Sequence, residues 1–222
     1  MPITNLVWLT SSSDTLTTEN KAAMAAALDA QADWVAHHVP SAPTDRDLRG
    51  VALFQQIEDP RVVMETAHWS SGDEHNTWLA SEEYKASSAP LGAHFDFGKL
   101  EYFHLDTDAL RPVNLAASAE SLLTSPVISV SRIQIPADNK QEMSKARESG
   151  KMAFGKFAEP RVVSSGFRIQ KQSPITDELV VFAGWSSVEK HSETGQLLGC
   201  AEYGKFMRNA TDVDVKHYRR IL

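Results

Sequence analysis

The sequence predicts an α+β protein: two tandem ferredoxin-like βαββαβ repeats that close one barrel within a single chain. Three observations predict it. The segment HWSSGDEH at 68–75 returns as GWSSVEKH at 184–191, so that Trp69 and Trp185, and likewise His75 and His191, stand 116 positions apart. Walking outward from these two segments, strand-like and helix-like runs recur in the same order in both halves. Strands such as VISVSRIQI are apolar on both faces, so neither half can leave one face of its sheet in water.

Each copy opens on a strand, NLVWLT in the first and VISVSRIQI in the second. A helix follows. In the first copy it runs over 18–38, with Met24, Leu28 and Val35 near helical spacing and Pro40 past its end. In the second it starts at Asp138 with Gln141 three residues on, a capping-box pattern, and carries Met143, Ala146, Phe154 and Phe157 on one face. Two strands come next, GVALFQQI then RVVMETAHW, and SGFRIQKQ then ELVVFAGW, with Phe54 matched to Phe167. A polar helical segment after each WSS ends in Glu83-Tyr84 and Glu202-Tyr203. Each copy closes on an alternating strand, KLEYFHL and DVKHYRRI, which pairs Phe103 with Tyr218 and His104 with Arg219. The repeats occupy 1–106 and 126–222, and 107–125 is a linker with a short helix across 115–123. The PRVV shared by 59–63 and 159–163 falls one element out of step and is a coincidence. An antiparallel sheet with two helices on one face leaves its other face bare, and two such sheets cover each other.

The pattern W-S-S-x-x-x-H followed by E-Y, on a βαββαβ half, resembles the antibiotic-biosynthesis-monooxygenase-like branch of the dimeric α+β barrel superfamily, in tandem single-chain form of the fungal type. The resemblance spans nearly the whole chain, twice. It implies a small-molecule barrel protein. The family includes cofactor-independent monooxygenases, polyketide cyclases, decarboxylases, haem-degrading enzymes and stress-responsive proteins, so the fold alone does not choose the chemistry.

Composition narrows the field. In 222 residues the net charge is −7, with a pI near 5.6, which argues against a general nucleic-acid binder. Apolar runs such as LVVFAGW are too short to span a bilayer, and the N-terminus lacks the positive region of a secretory signal, so a cytoplasmic protein is expected. A lone cysteine, Cys200, excludes an internal disulfide and a cysteine-based metal cluster. With both halves in one chain, a monomer or weak homodimer is expected.

Six of the eight histidines lie in the first half and give it most of the acid–base capacity. His75 and His191 recur in both copies, as do Trp69 and Trp185, which suits packing. His68 differs because its counterpart is Gly184. Strand alternation places Met64, Thr66 and His68 on one face, and Val63, Glu65, Ala67 and Trp69 on the other. If the first face lines the barrel, Thr66 and His68 face Phe182 and the room at Gly184. The candidate catalytic groups are therefore His68, Tyr84 and His104. In polyketide-cyclising relatives a His–Tyr pair serves as base and phenol donor, which the resemblance carries to His68 and Tyr84. Candidate substrate-binding residues are Trp69, Thr66, Phe182, His94, and Arg132 and Arg168, whose guanidinium groups could hold a carboxylate or phenolate. His94 and Asp96 at i, i+2 lack a third ligand, so no metal is expected, and no GxGxxG, P-loop or GxSxG motif is present. The expected function is cofactor-independent acid–base catalysis, cyclisation or isomerisation, on a hydrophobic polyketide- or terpenoid-like molecule. Cofactor-free oxygenation, non-catalytic ligand binding and haem binding are the alternatives.

Overall fold

The computed structural model describes residues 1–111, 120–195 and 201–222. Cys200 and most of the expected linker helix lie outside them. The first half holds β1 (Ile3–Thr10), α1 (Thr18–His38), β2 (Ala52–Gln56), β3 (Val62–Trp69), α2 (Gly72–Ala80), α3 (Glu82–Ser88) and β4 (Glu101–Leu105). The second repeats the order with β5 (Val127–Pro136), α4 (Lys140–Ala158), β6 (Val163–Phe167), β7 (Thr176–Trp185), α5 (Val188–Ser192), α6 (Ala201–Met207) and β8 (Asp212–Arg220). The strands run β4-β1-β3-β2-β8-β5-β7-β6, so each half has the order 4-1-3-2 of a ferredoxin-like unit.

Two seams join the halves. At one, β2 pairs with β8, Phe54 opposite Arg220 and Gln56 opposite Tyr218. At the other, Leu105 bridges Arg168, the Ile169 N–H donates to the His104 carbonyl at 2.8 Å, and the Asp106 N–H donates to that of Phe167 at 3.0 Å. The sheet thereby nearly closes on itself, through a short ladder at the first seam and a single bridge at the second, with all named strand pairs antiparallel.

Helix α1 covers the span its pattern predicts. Its start is fixed by a capping box, the Asn20 N–H donating to Thr17 Oγ1 and the Thr17 N–H to Asn20 Oδ1. The box expected at Asp138 and Gln141 does not form: residues 137–139 make a 3-10 turn, and α4 begins at Lys140 with no side-chain cap. Leu122–Thr124 is likewise a 3-10 turn, and Leu122 and Leu123 are buried against the barrel interior.

The strand registers correct three pairings. His104 stands opposite Asn5 and His217 opposite Ser129, with Ile3 and Val127 opposite the two tryptophans. His104 therefore corresponds to His217, not Arg219, and Phe103 to Lys216. A slip of two leaves every side chain on its own face, so alternation cannot detect it. Phe54 corresponds to Gly166 rather than Phe167, which packs under the helices instead. Gly166 has no room for a side chain, because a Cβ there would lie 2.4 Å from Thr107 Cγ2.

Candidate active site

Among the described residues, the barrel interior is filled with side chains. Leu6, Trp8, Phe54, Met64, Phe103, Val130, Val180 and Phe182 form one buried cluster along its axis. Thr66 is fully buried and donates from Oγ1 to the Gly50 carbonyl at 2.8 Å. Arg132 and Arg168 do hold carboxylates, but the protein's own: both grip Glu101 and Glu178, and both guanidinium groups lie over the Phe103 ring. Gly184 leaves no vacancy either. A Cβ there would stand 2.2 Å from Ser125 Oγ and 2.9 Å from Arg161 Cβ, so the glycine admits the chain entering β5. His68, across the barrel end, sits 3.0 Å from Arg111 Nη1 and 3.3 Å from Asp108 Oδ1. Burial lowers its pKa against the pull of Asp108, with Arg111 adding to the fall.

His68 and Trp69 border a cavity of about 210 Å³ with Arg49, Glu74 and Arg111, and a more apolar open space lies on the other face of the sheet. Between β1, β3, β4 and helices α1–α3 is a cavity of about 310 Å³, walled by Val7, Leu9, Ala27, Trp78, Leu79 and Leu91. Its polar groups are few: Asn5, Gln31, Glu65, His75, Tyr84, Tyr102 and the hydroxyls of Ser87 and Ser88. Glu65, Val7 and Tyr102 stand in one row across three strands. Asn5 Oδ1 is buried without a hydrogen-bond partner among the described residues, as is Trp69 Nε1. An apolar pocket with a few convergent polar groups is the ordinary form of a small-molecule site.

Glu65 dominates its electrostatics. No described residue bonds or ion-pairs with its carboxyl, and burial pushes its pKa up to about 7. Tyr84 is raised by burial first and then by Glu65 and Tyr102, so its phenol stays protonated at neutral pH. His75 Nδ1 lies 2.7 Å from His104 Nε2, and burial, helped by His104, lowers His75 to about 3. Burial also lowers His104. These two rings are thus neutral at pH 7.

The second half shows what makes this cavity exist. In place of the row Glu65, Val7, Tyr102 it carries Val181, Ser131, Val215. Helices α3 and α6 have the same length and start 119 positions apart, which sets Phe206 where the first half has Ser87. The Phe206 ring presses on Gly150, where a Cβ would come within 2.9 Å of it. The equivalent space shrinks to about 30 Å³.

No family model and no curated protein matches the sequence. Solved structures do. A candidate monooxygenase of Fusobacterium nucleatum superposes with a TM-score of 0.62 at 10% identity, covering 100% of this chain and 93% of its own. An anthrone oxidase-like protein gives 0.58 at 12%, with 100% and 92% covered. The chlorite dismutase of Candidatus Nitrospira defluvii, in complex with imidazole, gives 0.53 at 12%, with 97% and 90% covered. The likeness is one of fold. It places the chain among single-chain α+β barrels.

Of the sequence candidates, Tyr84 lines the cavity, His104 stands behind it through His75, and Trp69 packs beneath it against His75 and Trp34. Thr66, Phe182, Arg132 and Arg168 belong to the barrel interior and its rim. His68 and Tyr84 lie on opposite sides of the sheet, so the structure does not bring them together. His94 is half-buried, and its carbonyl accepts from Asn20 Nδ2, while Asp96 caps a turn at Gly98. Among the described residues, no three or more His, Cys, Asp or Glu side chains gather as a metal site requires. No helix among them is long and apolar enough to cross a membrane. The residue that sequence reasoning passed over is Glu65. Its signal was present: a single carboxylate in the apolar strand RVVMETAHW, opposite Val181 in the repeat.

Proposed function

We propose that the first-half cavity is the active site of an enzyme that abstracts a proton from a hydrophobic small molecule, with Glu65 as the base. The unpartnered carboxyl of Glu65, held near neutral pKa in an apolar cavity, carries this reading. A carboxylate at about 7 is a far stronger base than one in water and is still half ionised at physiological pH. Tyr84 stays protonated and donates a hydrogen bond to the oxyanion that forms as the proton leaves. The apolar walls exclude water and hold the ligand against Glu65. Isomerisation or cyclisation then requires only return of the proton to a different atom. No nucleotide, metal or other cofactor enters these steps, and the closed barrel suits a monomer or weak homodimer.

A second outcome of the same deprotonation is favoured by the names of the structural neighbours. An electron-rich carbanion can react with O2 directly. For anthrone, removal of one methylene proton followed by O2 addition and loss of water gives the quinone, with O2 as oxidant.

The test is deuterium uptake at the anthrone methylene in D2O, run without oxygen, with O2 consumption measured separately. The wild type should accelerate exchange, and Glu65→Gln should lose ~10²–10⁴-fold of it. Undiminished exchange in Glu65→Gln would remove the base from the scheme. Exchange with no O2 uptake would favour isomerase chemistry over oxygenation. An intense Soret absorbance on adding haem would favour the haem reading instead.

A further inference from the structure

The His–His pair beside the cavity is repeated in the second half, where His191 Nδ1 lies 2.7 Å from His217 Nε2. The two pairs have opposite polarity. In the first half the His104 backbone N–H donates to Gln170 Oε1 at 2.8 Å, which fixes the amide's orientation. Its NH₂ group therefore faces His104 Nδ1, 2.5 Å away. An amide nitrogen only donates, so Nδ1 accepts and the proton of neutral His104 sits on Nε2. That N–H donates to His75 Nδ1, and His75 keeps its own proton on Nε2. His75 lines the cavity, and this nitrogen has no partner among the described residues.

Glu58 takes the place of Gln170 in the second half. It lies 112 positions earlier, the same offset as Phe54 and Gly166. Its carboxylate accepts from the His217 backbone N–H and from Nδ1, the latter at 2.6 Å. Burial disfavours its charge, but the hydrogen bonds from His217 hold it below the usual carboxylate range. A carboxylate only accepts, so His217 carries a proton on Nδ1; in the neutral ring Nε2 then accepts from His191, and the chain of protons runs the other way.

We infer that Gln170 is a positioning residue for the cavity. Reaching across the seam from the second half, it fixes Nε2 of His75, a ring that lines the cavity, as an N–H donor. The ligand it selects carries an accepting oxygen, a ketone or phenolate, on an otherwise apolar frame. The identity of the ligand rests on the proposed cavity site; the proton positions are a property of the free protein.

Two-bond 1H–15N correlation of the ligand-free, 15N-labelled protein at pH 7 reads the tautomers directly. His75 and His104 should carry protons on Nε2, and His191 and His217 on Nδ1. A proton on Nδ1 of His104 overturns the assignment. Gln170→Glu should invert His75 and His104 while leaving the second pair unchanged, and Glu58→Gln should convert the second pair to the pattern of the first. If neither substitution moves a proton, these residues do not set the polarity. Adding 1-tetralone should shift the His75 Nε2 proton, whereas tetralin, lacking the oxygen, should not. No shift with the ketone, or equal shifts with both, overturns the ligand class. None of these readouts involves turnover, so they stand or fall apart from Glu65 as a base.

Discussion

Glu65 combines chemistry and cost in one side chain. Its pKa rises from 4.5 to about 7 on folding, so the folded state holds a proton that the unfolded chain has released. Stability on this account is unaffected below about pH 4.5, falls as pH rises toward 7, and stays lowered above it. The difference of two to three pKa units corresponds to roughly 3 kcal/mol. Glu65→Gln should therefore be more stable than wild type at pH 8, by up to that amount, and equal to it near pH 4. Urea denaturation at the two pH values checks this, and a variant less stable at pH 8 would mean that the carboxylate has a partner. Gly184 makes the opposite case. Gly184→Ala should cost about 1–3 kcal/mol because Ser125 and Arg161 already occupy the space. Thermal denaturation with no loss would show that the segment around Ser125 can move aside.

At the scale of elements, the two helices α3 and α6 decide which half keeps a cavity. They share length and place, yet α3 presents Ser87 and Ser88 to its cavity and α6 presents Phe206 to a glycine on α4. Ser87→Phe should put a ring into the first cavity and abolish ligand binding, at some cost in stability because α1 has no glycine to receive it as Gly150 receives Phe206; circular dichroism alongside checks that the variant folds. Retained binding of 1-tetralone by calorimetry in a folded Ser87→Phe protein would place the ligand elsewhere. The pattern of α1 was legible in sequence, since amphipathic spacing and the residue after its end both act locally. The start of α4 was not: Asp138 and Gln141 have the spacing of a capping box, but the turn before the helix is 3-10 and takes Asp138 out of the cap position.

For the whole molecule, the barrel interior belongs to both halves at once. Phe54, Met64 and Phe103 from one half pack with Val130, Val180 and Phe182 from the other. A fragment of residues 1–111 would expose that apolar face, along with both seam strands. It should self-associate or precipitate, and size-exclusion chromatography should show a dimer or larger species. A stable monomeric fragment would mean that the halves do not depend on each other.

The sequence by itself determined the repeat, the βαββαβ order of each half and the closure of two sheets into one barrel. These follow from periodicity and from strands apolar on both faces, which are local properties of the chain. It also marked Tyr84 and His104 as candidates. Only the tertiary structure decided which side of the sheet holds the open space. The inward residues of both halves meet and fill the barrel, so Thr66 and Phe182 face packing and His68, held by Arg111 and Asp108, borders a separate polar cavity, while Glu65 on the reverse face meets a gap left by Ser87 and Ala27. A cavity is the volume that several distant side chains fail to fill, and no one segment of sequence records that shortfall. The same holds for the polarity of His75, set by Gln170 from 95 residues away in the chain across a seam that exists only once the barrel has closed.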